Sequence, residues 1–124
     1  MPIAVPPIGN FLAVVGNTAS AALTASVERA ATPHVPVVPL LIPRNGELLP
    51  DTRRSDHAAF WHYGFPAVML TDTANFRNPN YHKSTDTLDT LNLRFLEQVA
   101  DAVTASVTAM LKDKSGTPEG TNGP

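Results

Sequence analysis

Residues 55–90 read SDHAAFWHYGFPAVMLTDTANFRNPNYHKSTDTLDT and hold three of the chain's four histidines. Ser55 is placed to cap a helix with its hydroxyl, and Asp56 follows where the helix dipole favours a negative charge. Ala58, Phe60 and Trp61 continue that helix. Gly64 supplies the left-handed turn that ends it, and Pro66 blocks any continuation. Ala67-Val68-Met69-Leu70 is a short apolar run of strand character. From its carboxyl end a polar loop, Thr71 to Pro79, leads to Tyr81-His82. In open α/β sheets ligands bind outside the carboxyl ends of strands, so this loop is the first place to look for chemistry.

Working outward, Met1 to Gly9 is rich in proline and reads as an extended lead-in. Phe11 to Val15 is a continuous apolar run closed by Gly16, which suits a strand buried on both faces. Asn17 or Thr18 can cap the helix that follows through Ala31, with Leu23, Val27 and Ala30 as its apolar stripe. Val35 to Ile42 is apolar, but Pro36 and Pro39 each remove a ladder donor, which puts this strand at an edge. The Ala67–Leu70 strand, apolar without alternation, is expected to be central beside Phe11–Val15. Pro43 to Arg54 is a polar loop turning at Asn45-Gly46. Downstream, Asn92 caps a long helix over about Leu93–Leu111, with Leu91 and Leu96 as a hydrophobic staple. Its residues Leu96, Val99, Val103, Val107 and Met110 form the stripe expected to lie across the sheet.

Strand and helix therefore alternate three times, the order of an α/β layered fold with helices on both faces of a sheet. Three strands are few for such a sheet, and open edges invite pairing with another chain. The organisation is a lead-in (1–9), one α/β region (10–113) and a glycine- and proline-rich tail (114–124) expected to be disordered.

Composition narrows the function. The chain has 124 residues, 43% of them hydrophobic, and a formal net charge of −2, which gives no reason to expect nucleic acid or an anionic membrane as partner. Cysteine is absent, so neither disulfides nor thiolate metal sites can form. No apolar run approaches a transmembrane span, and MPIAVPPIGN lacks the basic and uninterrupted apolar regions of a signal peptide. The compartment is not legible.

Ser-Asp-His (55–57), Gly-Phe-Pro-Ala (64–67) and Asn-Pro-Asn-Tyr-His-Lys-Ser-Thr-Asp-Thr (78–87) together resemble the C-terminal part of the co-catalytic zinc aminopeptidases. Those enzymes are similar in turn to bacterial leucyl aminopeptidases and glutaminyl cyclases. The resemblance runs over roughly Asn10 to Lys112 and implies a partial three-layer α/β/α sheet of the zinc exopeptidase kind. It implies that His82 is a zinc ligand, one of those holding two ions in a complete domain. It also implies that Asp86 braces the histidine loop, that Tyr81 donates to a tetrahedral oxyanion, that Asp56 joins the hydrogen bonds around the metal's carboxylates, and that His57, like Asp86, stands behind the metal's own ligands. Each residue has a plainer reading. His82 can be an ordinary loop histidine, Asp86 a turn former, Tyr81 a half-buried aromatic, and Asp56 a helix N-terminal charge. His57 and His62 stand five apart, about 140° around a helix, and cannot share a metal. His34, among prolines, is expected to be exposed.

The chain departs from the family in what it lacks. No His-x-Asp occurs, and the glutamates Glu28, Glu47, Glu97 and Glu119 include no adjacent pair to act as general base. A zinc site needs at least three protein ligands, and one is in view. The expectation is therefore the C-terminal segment of a zinc-dependent aminopeptidase, hydrolysing N-terminal peptide bonds of a peptide substrate only when complete and inactive as an isolated chain. The alternatives are a non-catalytic α/β interaction module, self-associating through open sheet edges, or one half of a split enzyme whose missing N-terminal half comes from another chain.

Overall fold

A computed structural model describes residues 7–72 and 78–113. Part of the lead-in (1–6), the middle of the polar loop (73–77) and the tail (114–124) lie outside the described residues. The elements alternate as expected: β1 (Leu12–Asn17), α1 (Ala21–Ala31), β2 (Val37–Ile42), α2 (His57–His62), β3 (Val68–Thr71) and α3 (Leu93–Lys112). The sheet is mixed, in the order β2-β1-β3, with β1 parallel to β2 and antiparallel to β3.

β1 is central because its residues are apolar on both faces, and all of them are buried. Phe11, Ala13 and Val15 face one way, onto Trp61 of α2 with Ile42, Leu40 and Met69. Leu12 faces the other way, onto Ala31, Val35 and Ala102, with Leu70, Phe95 and Val99 completing that side. Helices thus cover both faces, α2 on one and α1 with α3 on the other. Gly16 lets α1 lie close: a Cβ there would run into the Thr24 hydroxyl, which donates to Ser20 O at 2.9 Å.

Several sequence expectations need correction. β3 is not central: among the described residues it pairs only with β1, and its residues are half-buried. Its unbroken apolar run reflects cover on both faces by α2 and α3, not a neighbour on both edges. β2 is at an edge, as its prolines require. In α1 the buried positions are Thr24, Val27 and Ala31, one residue round from the Leu23–Val27–Ala30 stripe, because the chain first makes a single 3-10 turn over Thr18–Ser20.

The α3 stripe is rotated too. Ala102 and Ser106 are buried and Phe95 and Val99 pack on the β1/β3 margin, while Leu96, Val107 and Met110 remain exposed. Small side chains at 102 and 106 let α3 approach closely, which decides the face against the bulkier ridge. Its cap is as read: Asn92 Oδ1 accepts from Phe95 N–H at 3.1 Å.

α2 is fixed at both ends. Ser55 does not cap it by its side chain; the turn starts on main-chain carbonyls, with Ala58 N–H donating to Ser55 O at 3.2 Å and Ala59 N–H to Asp56 O at 3.1 Å. At the other end Gly64, at φ 82°, closes a Schellman turn, with Gly64 N–H donating to Trp61 O at 3.1 Å and Phe65 N–H to Phe60 O at 2.9 Å. The Trp61 indole N–H then donates to Ala67 O at 2.8 Å, fastening the helix to the start of β3.

Candidate functional site

The antiparallel pairing of β3 sets where the polar loop emerges. Thr71 stands opposite Ala13, so β3 ends where β1 and β2 begin. The strands share no common carboxyl end. The loop belongs to the carboxyl end of β3 alone.

At the opposite end, where β1 and β2 finish, a buried polar knot holds the framework. Asn17 Nδ2–H donates to Asn45 Oδ1 at 2.9 Å, Ser20 Oγ–H donates to Asn17 Oδ1 at 2.5 Å, and Ser20 Oγ accepts from Ala67 N–H at 2.9 Å. Asn17 and Ser20 are each at most 3% exposed, and their hydrogen bonds are what make that burial affordable. The sequence signal was present in polar residues that close an apolar run, but it does not name their partners.

From Asn78 to Asp86 the chain makes consecutive tight turns. Asn78 Oδ1 accepts from Asn80 N–H at 2.9 Å and Asn78 O from Tyr81 N–H at 3.2 Å. Lys83 N–H donates to Asn80 O at 3.0 Å, and Asp86 N–H to Lys83 O at 3.1 Å. Between these bonds His82 takes φ 55°, the left-handed conformation that a non-glycine residue adopts at a cost of about 1–2 kcal/mol. Its ring lies stacked on Tyr81, 4.1 Å between centroids and 15° between planes. The backbone twist and the stack together present the imidazole outward on an exposed loop.

Here a residue just before the Ser-Asp-His segment reaches the Tyr81-His82 loop. Arg54, two residues before Asp56, lies with its guanidinium carbon 5.6 Å from the Tyr81 ring centroid, within cation–π range. Sequence reading missed Arg54, since nothing about an arginine in a polar loop announces an aromatic partner. Asp56 is exposed at the start of α2, its side chain making no capping bond. Asp86 is exposed as well, tied through its own N–H.

His57 is different in kind. It is 5% exposed, its Nε2–H donates to Thr52 O at 2.6 Å, and it meets Trp61 edge-on at 4.6 Å. This makes it an anchor of α2, with Nδ1 buried and without a hydrogen-bond partner among the described residues. His62 is exposed against Tyr63, and His34 is exposed as expected.

Among the described residues no three His, Asp or Glu side chains converge as a metal site. The described residues thus bring together no set of side chains that fits a zinc ion. The loop presents the outward imidazole of His82. A groove of about 670 Å³ runs beside β3 and α3, lined among others by Leu12, Leu70, Asn78, Leu91 and Phe95.

The chain is 36% identical over 100 residues to the uncharacterized protein YfbL of Escherichia coli K12, an alignment that takes in 79% of this chain and 30% of that relative. The chain thus spans less than a third of the relative's length. No solved structure matches it. The model of peptidase family M28 matches residues 5–107, most of the chain and every candidate site residue named above. The chain belongs to peptidase family M28, and so with the metallopeptidases.

Proposed function

We propose that this chain supplies one side of a zinc-dependent aminopeptidase site: His82 as a metal ligand, Tyr81 as a donor to the oxyanion, and Asp56 and Asp86 as polar groups behind the metal's own ligands. The observation that carries the reading is His82 itself. A histidine held at φ 55° against its neighbour's ring, on an exposed loop, keeps a costly conformation that an idle side chain does not need. His57 has no part in the chemistry on this reading and serves as the buried foot of α2.

The partner is the rest of an M28 domain, seated on the outer edge of β3. Both outer strands have a free edge among the described residues, but β2 carries Pro39 within it, and β3 has no proline. Exposed Leu91 and Leu96 line the groove beside β3 and add apolar surface to the same side. A strand added there would run past the end from which the His82 loop departs, so seating and completion of the site coincide. No adjacent glutamates and no His-x-Asp occur in the chain, and no hydrolytic step is assigned to it alone.

Zinc analysis after dialysis, with an aminoacyl-nitroanilide assay, tests the reading. The isolated chain is expected to hold no stoichiometric zinc and to turn over nothing. A chimera in which it replaces the matching segment of another M28 protein is expected to gain both, and to lose both on His82→Ala. Zinc and turnover in the isolated chain would overturn the reading, as would a zinc-loaded chimera indifferent to His82→Ala.

A further inference from the structure

We infer that Arg54 is a positioning residue for the His82 loop, acting through Tyr81; the inference rests on the reading of His82 given above. The contacts form a chain from the buried framework to the exposed imidazole. His57, 5% exposed, binds Thr52 O at 2.6 Å and so clamps the backbone two residues before Arg54. Asp51, three residues earlier, forms an exposed ion pair with Arg54 Nη1 at 3.6 Å. The guanidinium sits 5.6 Å from the centre of Tyr81, and Tyr81 stacks on His82 at 4.1 Å.

The loop needs such a tie. Its own hydrogen bonds, from Asn78 to Asp86, are local turns that shape it without fixing it against the rest of the molecule. The side chains of Asn80, Lys83 and Asp86 make no hydrogen bond to α2 or to the loop before it among the described residues. Arg54 spans that gap. A planar, delocalised cation suits an aromatic face better than an ammonium does, so lysine is a poor replacement. Arg54 thus sets where the Tyr81–His82 pair stands relative to Asp56, two residues further along its own backbone. It touches no reacting atom, and its effect on chemistry would pass through His82.

The test is NMR of the whole 124-residue chain at one fixed pH, without metal. Cross-peaks between the Arg54 δ-protons and the Tyr81 ring are expected, with His82 ring protons shifted upfield by the Tyr81 face. Arg54→Met keeps the stem and removes the cation. It is expected to abolish the cross-peaks and to move the His82 signals at least halfway to their free values, with the urea midpoint unchanged. Arg54→Lys is expected to retain part of the shift. Tyr81→Leu, the reciprocal variant, should release the Arg54 side-chain signals to free values. Unmoved His82 signals in Arg54→Met, or movement seen only together with a lower urea midpoint, would overturn the inference. Because no metal enters, an intact stack in a chain whose chimera takes up no zinc would count against the proposed function and leave the positioning role standing.

Discussion

Two histidines, His57 and His82, sit in regions built on opposite principles. Around His57 the chain spends its apolar surface: the ring is buried, bonded to Thr52 O, and set edge-on against Trp61, which is 1% exposed. Around His82 there is almost no burial, and order comes from turns, a left-handed residue and stacked rings. The first region resists change because its contacts are many and share a core. The second can meet a metal or another chain because it has committed few contacts. One supports the fold and the other is carried by it.

The sharpest way to break this contrast is Trp61→Ala. The indole fills the face of the sheet opposite α1 and α3 and donates to Ala67 O at 2.8 Å. Its removal leaves a cavity and an unpaired carbonyl, a loss of about 3–5 kcal/mol. In so small a domain that approaches the whole stability. Urea denaturation should show a steeply lowered midpoint or no cooperative transition. A midpoint close to that of the parent would mean that α2 is not part of the core.

Next in size is Gly16→Ala. The added methyl meets the Thr24 hydroxyl, and either α1 moves off β1 or Thr24 gives up its bond to Ser20 O. Overpacking of this kind costs about 1–3 kcal/mol, read as a lowered urea midpoint. The double variant with Thr24→Ala should recover part of the loss, which separates the steric cause from a conformational one.

The region of His82 should answer in the opposite sense. His82→Gly removes a side chain that makes no core contact and relieves φ 55°, so stability should hold or rise by up to about 1 kcal/mol. A clear drop in the urea midpoint would show that the stack on Tyr81 holds the fold together. It would then belong with His57, and the contrast would fail.

How much of this was legible in the sequence follows the same division. The apolar run at Phe11–Val15, the prolines in 35–42, the Asn92 cap and the Gly64 turn each act through local chemistry, and each stands where that chemistry puts it. What depended on packing between distant elements was not legible. The buried face of α3 was chosen by the small residues Ala102 and Ser106, and periodicity alone favoured the bulkier Leu96–Val107 ridge. The edge position of β3 could not be read because cover by helices on both faces leaves the same apolar pattern as flanking strands do. In the site, Ser-Asp-His and Tyr-His marked two segments by resemblance. Arg54, which reaches the Tyr81 ring, carried no mark of its own. His57 follows Asp56 directly, and a helix turns successive residues by about 100°, so that His57 is buried while Asp56 is exposed.

The smallest effect concerns acid. Glu47 sits in the turn between β2 and α2, where its carboxylate accepts from Asn45 N–H at 3.1 Å. Its own backbone N–H, the Asn45 N–H and the Arg53 and Arg44 charges hold its pKa below the ordinary 4.5. The folded pKa is thus the lower one, and the unfolded chain binds the proton more readily. Any stability from Glu47 is fully present above the ordinary value and is lost as pH falls through the lowered one. The carboxylate is fully exposed, so the gain is small and salt weakens it further. Asn45 is also bonded to the buried Asn17, which ties this exposed turn to the framework and not to the His82 loop. Glu47→Gln should therefore flatten the acid limb of a pH–stability profile slightly below pH 4.5 at low ionic strength. The Arg54–Tyr81 cross-peaks should stay in place at neutral pH. Their loss in Glu47→Gln would mean that the two regions are one cooperative unit, with the loop reading the framework's charge through the turn that joins β2 to α2.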